Sequence, residues 1–500
     1  MFFLSIDLGT ESARAGVYSL DGQCLGGSSA TYATTFPRPG WAEQDPSQWW
    51  ESALTAAGKA IVEAGVDEVA GIAVSTTASS VVFLDRDGIP IRPALLWMDT
   101  RSHAEATSTS RVSHPNMAYS GGVDSPEWLV PKAMWVKRNE EELFARSDKI
   151  GEAVDFLTLK LTGRFVGSDL NATCKWNYDP RAGALPRDLY SLFGIEELAD
   201  KLPQEILPVG TPVGTILPEV ASRLGLRNTP VVSVGGIDAH MALIALRGFS
   251  RTAISIAAGT SNAFITETDS ACDSPEIWGP YPDALTPGRW LVEGGQLSAG
   301  SALTWVAEKM LGYDRSALPA LVSEVSAMRP GSSGLIVLDD FMGNRTPFRD
   351  ASMRGGILGL SLGTSGAEIY QATVEAVAFG TKQVLDSFER AGIDVGDLYF
   401  SGGIGHNPLW MRTTANVIGQ PIHSITSDNL TLIATAATAA VGAGAFQNFD
   451  DAQVAFRPES TVVEPDLEAH QLLSEIFLSF TAAKESNRNL FAATPLGVTG

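Results

Sequence analysis

Apolar and small polar positions alternate from the first residues of the chain. Phe2-Phe3-Leu4-Ser5-Ile6 reads as a strand, Asp7-Leu8-Gly9-Thr10 as a tight turn and Ala13 to Tyr18 as the returning strand, closed by a second turn at Asp21-Gly22. The same pattern recurs near residue 250. Ala253-Ile254-Ser255-Ile256-Ala257 leads into Ala258-Gly259-Thr260-Ser261-Asn262 and then the apolar Ala263-Phe264-Ile265. Two hairpins with a Gly-Thr turn, one opening each half, predict duplicated domains of similar topology.

Between the hairpins, periodicity predicts a helix over Pro46–Ala64 and strands over Val69–Ser75 and Val231–Val234, the last ending in Gly235-Gly236. A helix follows from Asp238 to Leu246. The second half alternates helices (Ala299–Leu311, Glu368–Ala391, Pro408–Ile418, Leu430–Gly444) with strands (Leu335–Leu338, Asp397–Phe400). Interleaved strands and helices in both halves predict α/β architecture. A division into residues 1–247 and 248–500 follows, with the join in the Arg247–Arg251 stretch.

Charge then narrows the function. With 35 basic against 57 acidic residues, the chain carries a net charge of −22 and no basic run, which argues against nucleic acid and anionic membrane as partners. Phosphates would have to be held by backbone N–H groups and metal ions. The longest uncharged apolar stretch, Leu430 to Phe446, is Ala-, Thr- and Gly-rich and short for a membrane span, and it reads as a tightly packed buried helix. Cys24, Cys174 and Cys272 are scattered, so no disulfide frame or thiolate metal site is expected. The start of the chain lacks the basic segment of a signal peptide, and a cytoplasmic location is expected.

Four glycine-containing turns carry the candidate chemistry. In Ile6-Asp7-Leu8-Gly9-Thr10, a turn directly after a strand offers N–H groups and a hydroxyl to a phosphate, with a carboxylate placed to hold Mg²⁺ through water. In Val234-Gly235-Gly236-Ile237-Asp238, the Asp stands at a strand's carboxyl end, where open α/β sheets place ligands, and it is either a helix cap or a general base. The third turn, Ala258-Gly259-Thr260-Ser261-Asn262, repeats the first. The fourth, Ser401-Gly402-Gly403-Ile404-Gly405-His406-Asn407-Pro408, lets a phosphate or a flat base approach the backbone.

In this order and spacing the four turns resemble the sugar kinase branch of the actin-like ATPase superfamily. Further stretches resemble the FGGY carbohydrate kinases: Leu96-Trp97-Met98-Asp99-Thr100-Arg101, Pro131-Lys132-Ala133-Met134-Trp135, Asp155-Phe156-Leu157 with Leu161-Thr162-Gly163, and Glu293-Gly294-Gly295-Gln296. Ribulokinases are resembled at Tyr119 to Glu127, at Cys174-Lys175-Trp176-Asn177-Tyr178 and at Gly343-Asn344-Arg345-Thr346-Pro347. Two departures stand out. Ser75-Thr76-Thr77-Ala78-Ser79 replaces the Asp-Ala-Thr-Cys-Ser of the ribulokinases, and Asn262-Ala263 follows the third turn where they carry Thr or Ser before Cys-His.

The resemblance implies two actin-like (ribonuclease H-like) ATPase domains flanking a central cleft, and an ATP- and Mg²⁺-dependent kinase. The implied acceptor is the terminal hydroxyl of a small ketose, most readily a pentulose such as D-ribulose. Xylulose, L-ribulose, a pentitol or a tetritol are the alternatives, and a non-catalytic nucleotide switch is the remote one. Carried over to this sequence, Asp238 is the base, Asp7 the Mg²⁺ organiser, and Thr10, Gly259 and Thr260 the phosphoryl holders. Gly300, Thr304, Gly403 and Asn407 line the nucleotide. Lys175, Glu293 and Asp238 contact the sugar, with Thr77, Asp99 and Gln296 beside them. The expected partners are the sugar and ATP; a homodimer is left open.

Overall fold

A computed structural model describes residues 1–350, 352–427 and 429–493. The opening hairpin forms as its alternation predicts. Strand β1 (Phe2–Leu8) pairs antiparallel with β2 (Ser12–Ser19), and β2 with β3 (Cys24–Thr31). On its other side β1 runs parallel to β4 (Gly71–Thr76), which runs parallel to β6 (Val231–Ile237), and β5 (Pro212–Thr215) closes the edge antiparallel to β6.

The second sheet repeats this plan. Strands β7 (Ile254–Ala258), β8 (Asn262–Thr268) and β10 (Trp290–Gln296) form the antiparallel trio, with β9 (Trp278–Pro282) added outside β10. Parallel to β7 lies β11 (Leu398–Ser401), then β12 (Ile422–Ile425), and β13 (Ser460–Val463) closes the edge antiparallel. Both halves thus carry three antiparallel strands, two parallel ones and an antiparallel edge in the same spatial order. The duplication read from two Gly-Thr turns extends to whole sheets.

Helices begin and end where the local chemistry directs. Helix α1 (Pro46–Ala64) has Asp45 accepting from the Ser47 N–H, Pro46 in its first turn and Gly65 in the left-handed conformation at its end. It buries Trp49, Ala53, Ala57 and Ile61 on the first sheet, each large apolar side chain contributing about 1.5–3 kcal/mol. The remaining helices used below are α2 (Asp169–Lys175), α3 (Asp238–Leu246), α4 (Gly300–Trp305), α5 (Gly366–Arg390), α6 (Pro408–Ile418), α7 (Leu430–Gly442) and α8 (Leu467–Ala493). The expected Ala299–Leu311 helix is α4 followed by a wider turn over Val306–Met310. Ile336–Leu338 pairs with Gly356–Leu358 outside the main sheet.

Two helices cross between the halves. Helix α3 follows the first sheet's β6 yet packs on β7 and β8 of the second. Helix α7 lies within the second half of the sequence yet packs on β1, β4 and β6 of the first sheet, and against α3. Glycines seat it closely: a Cβ on Gly71 would lie 2.4 Å from the Ala439 carbonyl oxygen, and one on Gly442 would lie 1.9 Å from Ser233 Oγ. Residues from both crossing helices, with Phe3, Ala73 and Ile265, form a core between the sheets.

Strand β6 runs through Gly235-Gly236 instead of stopping at Val234. A Cβ at Gly235 would sit 1.6 Å from the Val74 carbonyl oxygen and one at Gly236 2.7 Å from Leu170, where the register against β4 shifts. These glycines serve close strand packing. Cys24, Cys174 and Cys272 are free, and among the described residues no helix is long and apolar enough to cross a membrane.

Candidate active site

The sheet register builds the first part of the site. Asp7 lies directly opposite Arg14 across the β1–β2 pair and beside Ser75 across the β1–β4 pair. The Asp7 carboxylate is fully buried, with Oδ2 2.6 Å from Arg14 Nη2 and Oδ1 accepting from Ser75 Oγ at 3.0 Å. Thr435 of α7 donates to Ser75 Oγ at 3.0 Å, so the crossing helix touches this constellation. Burial raises the Asp7 pKa, while Arg14 and Ser75 oppose the shift. In the turn, Thr10 Oγ1 accepts from Trp97 Nε1 at 3.2 Å and the Thr10 carbonyl accepts from Gln44 Nε2 at 2.7 Å, which leaves the threonine O–H to donate.

Asp238 begins α3 at the carboxyl end of β6. The N-cap is Ile237, and Asp238 Oδ1 accepts from the adjacent Ala239 N–H at 2.7 Å. Asp238 thus stands one residue inside the helix and takes one of its first-turn N–H groups. Its pKa is pushed up to about 7, first by burial and next by the negative charge of Asp7, against the Ala239 N–H, Arg14 and Lys175. A carboxylate poised near neutrality at a strand end has the character of a general base.

Three loops of the second half meet at the Gly259 turn. Gly300 N–H donates to the Gly259 carbonyl at 2.9 Å, while Ala299 and Ser301 N–H groups donate to the Thr260 carbonyl at 3.1 and 3.2 Å. A Cβ on Gly300 would stand 2.5 Å from the Gly259 oxygen; Gly402, at φ 90°, would place one 2.9 Å from the Ala258 oxygen. Gly403 faces Gly259 Cα, its Cβ position 3.8 Å away. Thr260, Thr304 and Gly403 are exposed on this surface. Asn407 caps α6 by accepting from the Trp410 N–H at 3.1 Å, so its carbonyl oxygen is already engaged.

The remaining group joins the halves. Lys175, ending α2, is 5% exposed, with its ammonium 3.2 Å from Glu293 Oε2 on β10 and 5.3 Å from the centre of the Trp128 ring. The Glu293 carboxyl is held well below the usual range because Lys175, His240 and Arg345 outweigh burial, which acts the other way. Arg345 reaches Glu127 with Nη2 2.8 and 2.9 Å from its two carboxylate oxygens, and Arg349 Nη2 donates to the Ser120 carbonyl at 3.1 Å. Thr77 is half-buried, its hydroxyl 3.0 Å from Ser80 Oγ.

Two of the expected sugar contacts have their polar atoms engaged within the protein. Asp99 is fully buried, its oxygens occupied by Arg101 at 2.7–3.0 Å and by the Ala42 N–H at 2.7 Å. Gln296 is saturated inside the second half: Oε1 accepts from Asn262 and Thr381, and Nε2 donates to Asp339 and the Val377 carbonyl. Neither has capacity left for a ligand. Arg14, His240, Tyr281 and Arg345 join the site without having been singled out in the sequence. Two of them left signals: a hairpin turning at Gly9-Thr10 sets Arg14 opposite Asp7, and Arg345 lies in the Gly343-Asn344-Arg345-Thr346-Pro347 stretch.

With this geometry in view, comparison with known proteins decides the family. Residues 2–245 match the N-terminal domain of the FGGY family of carbohydrate kinases and residues 254–443 its C-terminal domain. The chain belongs to the FGGY carbohydrate kinases. A ribulokinase from Halalkalibacterium halodurans is 30% identical over 485 residues, spanning 89% of this chain and 86% of that protein. A human FGGY carbohydrate kinase domain-containing protein is 26% identical, spanning 98% and 97%. A crystal structure described as a "xyloylose kinase" from Brucella ovis superposes with a TM-score of 0.87 at 25% identity, covering 98% and 100% of the two chains. This FGGY kinase therefore has the two-domain actin-like fold and the ATP-dependent sugar kinase activity of its family.

Proposed function

We propose that this kinase transfers the γ-phosphoryl group of MgATP to the terminal primary hydroxyl of a pentulose, D-ribulose foremost. The observation that carries the reading is the placement of Asp238. Its carboxylate, raised toward neutrality, shares one electrostatic environment with the Asp7–Arg14 pair and with Lys175 of the Lys175–Glu293 pair. Phosphoryl transfer passes through a loose transition state, so positioning and charge neutralisation supply most of the rate. Asp238 accepts the proton of the attacking hydroxyl, and Lys175 and Glu293 hold the sugar, with Thr77 at its edge.

Thr10, Gly259 and Thr260 hold the transferring phosphoryl group, and Gly300, Thr304, Gly403 and Asn407 line the nucleotide. The close approach of the Gly259, Gly300 and Gly403 backbones is what a phosphate cradle requires, since side chains there would fill it. Asp7 fits Mg²⁺: it is a buried carboxylate whose Oδ2 has no aligned hydrogen-bond donor beyond the ion pair. Among the described residues no three metal-ligating side chains cluster. Bound there, Mg²⁺ neutralises developing charge on the phosphates.

A coupled ADP-release assay across pentuloses, pentitols and tetritols tests the reading. The expected result is the highest kcat/KM with a pentulose. A tetritol or pentitol preferred tenfold over every pentulose would overturn it. Xylulose is the second reading, supported by the likeness to the Brucella ovis enzyme, and the same panel separates the two.

A further inference from the structure

His240 has no role in the mechanism above, yet its surroundings are unusual. The ring is 2% exposed, and neither nitrogen makes a well-aligned hydrogen bond. Nε2 lies 3.4 Å from Glu293 Oε2, the oxygen that is also 3.2 Å from Lys175 Nζ. Burial pushes the imidazole pKa down, against the pull of Glu293; in its neutral form the ring offers one N–H donor and one acceptor. A second orphan stands in the same field. The Tyr281 hydroxyl on β9 is 1% exposed and unpartnered, and after burial the charge of Glu293 is the largest influence on it.

A buried polar atom left without a partner costs about 1–3 kcal/mol, and side chains in a settled core avoid that cost by pairing. His240 and Tyr281 do not pair, and His240 Nε2 lies beside Glu293, a carboxylate that spans the halves to Lys175. A polyol is the natural partner: each hydroxyl donates and accepts, so it can take an N–H from one ring and give its own proton to a carboxylate beside it.

We propose that His240 is a substrate-contacting specificity residue that hydrogen-bonds a sugar hydroxyl other than the phosphoryl acceptor, next to the hydroxyl held by Glu293. The proposal rests on the sugar-site reading above and extends it to a residue for which no role has been assigned. A contact at His240 would grip the sugar along its length as well as at the reacting carbon. This favours polyhydroxylated chains over short alcohols.

The test compares wild type with His240→Phe, which keeps a flat ring and removes both nitrogens, using the best pentulose and its monodeoxy analogues. The expected result is a sugar KM raised on the order of 10- to 100-fold with ATP KM unchanged. One deoxy analogue should be penalised by wild type and nearly unpenalised by the variant, because the group it lacks is the one His240 reads. His240→Gln, which retains a donor and an acceptor, should recover part of the affinity, and it carries the comparison if the Phe variant fails to fold. A sugar KM within twofold of wild type, or deoxy penalties identical in wild type and variants, overturns the proposal. If wild type phosphorylates no pentulose, the substrate reading fails instead, and the deoxy series of whichever polyol raises the wild-type melting temperature decides His240.

Discussion

Replacing Asp238 by Asn separates catalysis from folding in a single residue. Asn keeps the size, and its carbonyl oxygen can still accept from the Ala239 N–H. What disappears is the proton acceptor. General-base contributions are typically 10²–10⁴-fold, so kcat should fall by roughly that factor. Stability should move the other way. The folded pKa of Asp238 is raised to about 7 from a normal 3.8, so the carboxyl's favourable contribution is complete below the unfolded value and is lost as pH rises through the folded one. At pH 8 the ionised group opposes folding. At about 1.4 kcal/mol per pKa unit the ceiling is on the order of 4 kcal/mol, and the partial exposure of Asp238 reduces the expected gain from Asn to about 1–2 kcal/mol. Coupled ADP release at saturating sugar and MgATP reads the first effect, and denaturant melts at pH 5 and pH 8 read the second. Wild-type kcat/KM should itself decline below about pH 7 as the base is protonated. A folded Asn variant retaining more than about a tenth of wild-type kcat, or one less stable than wild type at pH 8, would refute the reasoning.

Three other substitutions probe the rest of the site. Lys175→Met removes the nearest cation from the buried Glu293 and should cost about 3–5 kcal/mol of stability; adding Glu293→Gln should restore most of it in melts without restoring sugar KM, and recovery of both would show the pair to be structural only. Gly300→Ala drives a methyl to within 2.5 Å of the Gly259 oxygen and should raise ATP KM on the order of tenfold or more while sparing sugar KM; an unchanged ATP KM would remove Gly300 from the nucleotide site. Arg345→Met breaks the bidentate contact with Glu127 across the halves, so small-angle scattering should show expansion and sugar-independent ATP hydrolysis should rise; if neither changes, this contact does not hold the cleft closed.

What the sequence disclosed was local. The alternation around Gly9-Thr10 and Gly259-Thr260 specified both hairpins, and Asp45-Pro46 with Gly65 set both ends of α1. Asp7 and Asp238 were recognisable because strand-end carboxylates beside glycines form a sequence pattern. What stayed hidden depended on non-local pairing. Nothing near Leu430 says that α7 packs on a sheet formed by residues far earlier in the chain, although its small residues announced close packing. Asp99 and Gln296 stood in the right motifs, but their capacity is spent on Arg101 and on Asn262, Thr381 and Asp339. Saturation of that kind is a property of neighbours. His240 and Tyr281 illustrate the converse, being ordinary in sequence and conspicuous only once no neighbour meets them.

The exchange of helices between the halves also constrains biosynthesis. When a ribosome has released residues 2–246, the face of the first sheet that α7 will cover is still bare. At ~5–20 residues per second, α7 emerges on the order of ten to forty seconds later. Throughout that interval the nascent amino-terminal half exposes the surface around Gly71, Ala73 and Ser233 to the surrounding milieu. A gene fragment ending near residue 247 is therefore expected to yield an aggregation-prone product, and holdase chaperones have a defined window in which to act.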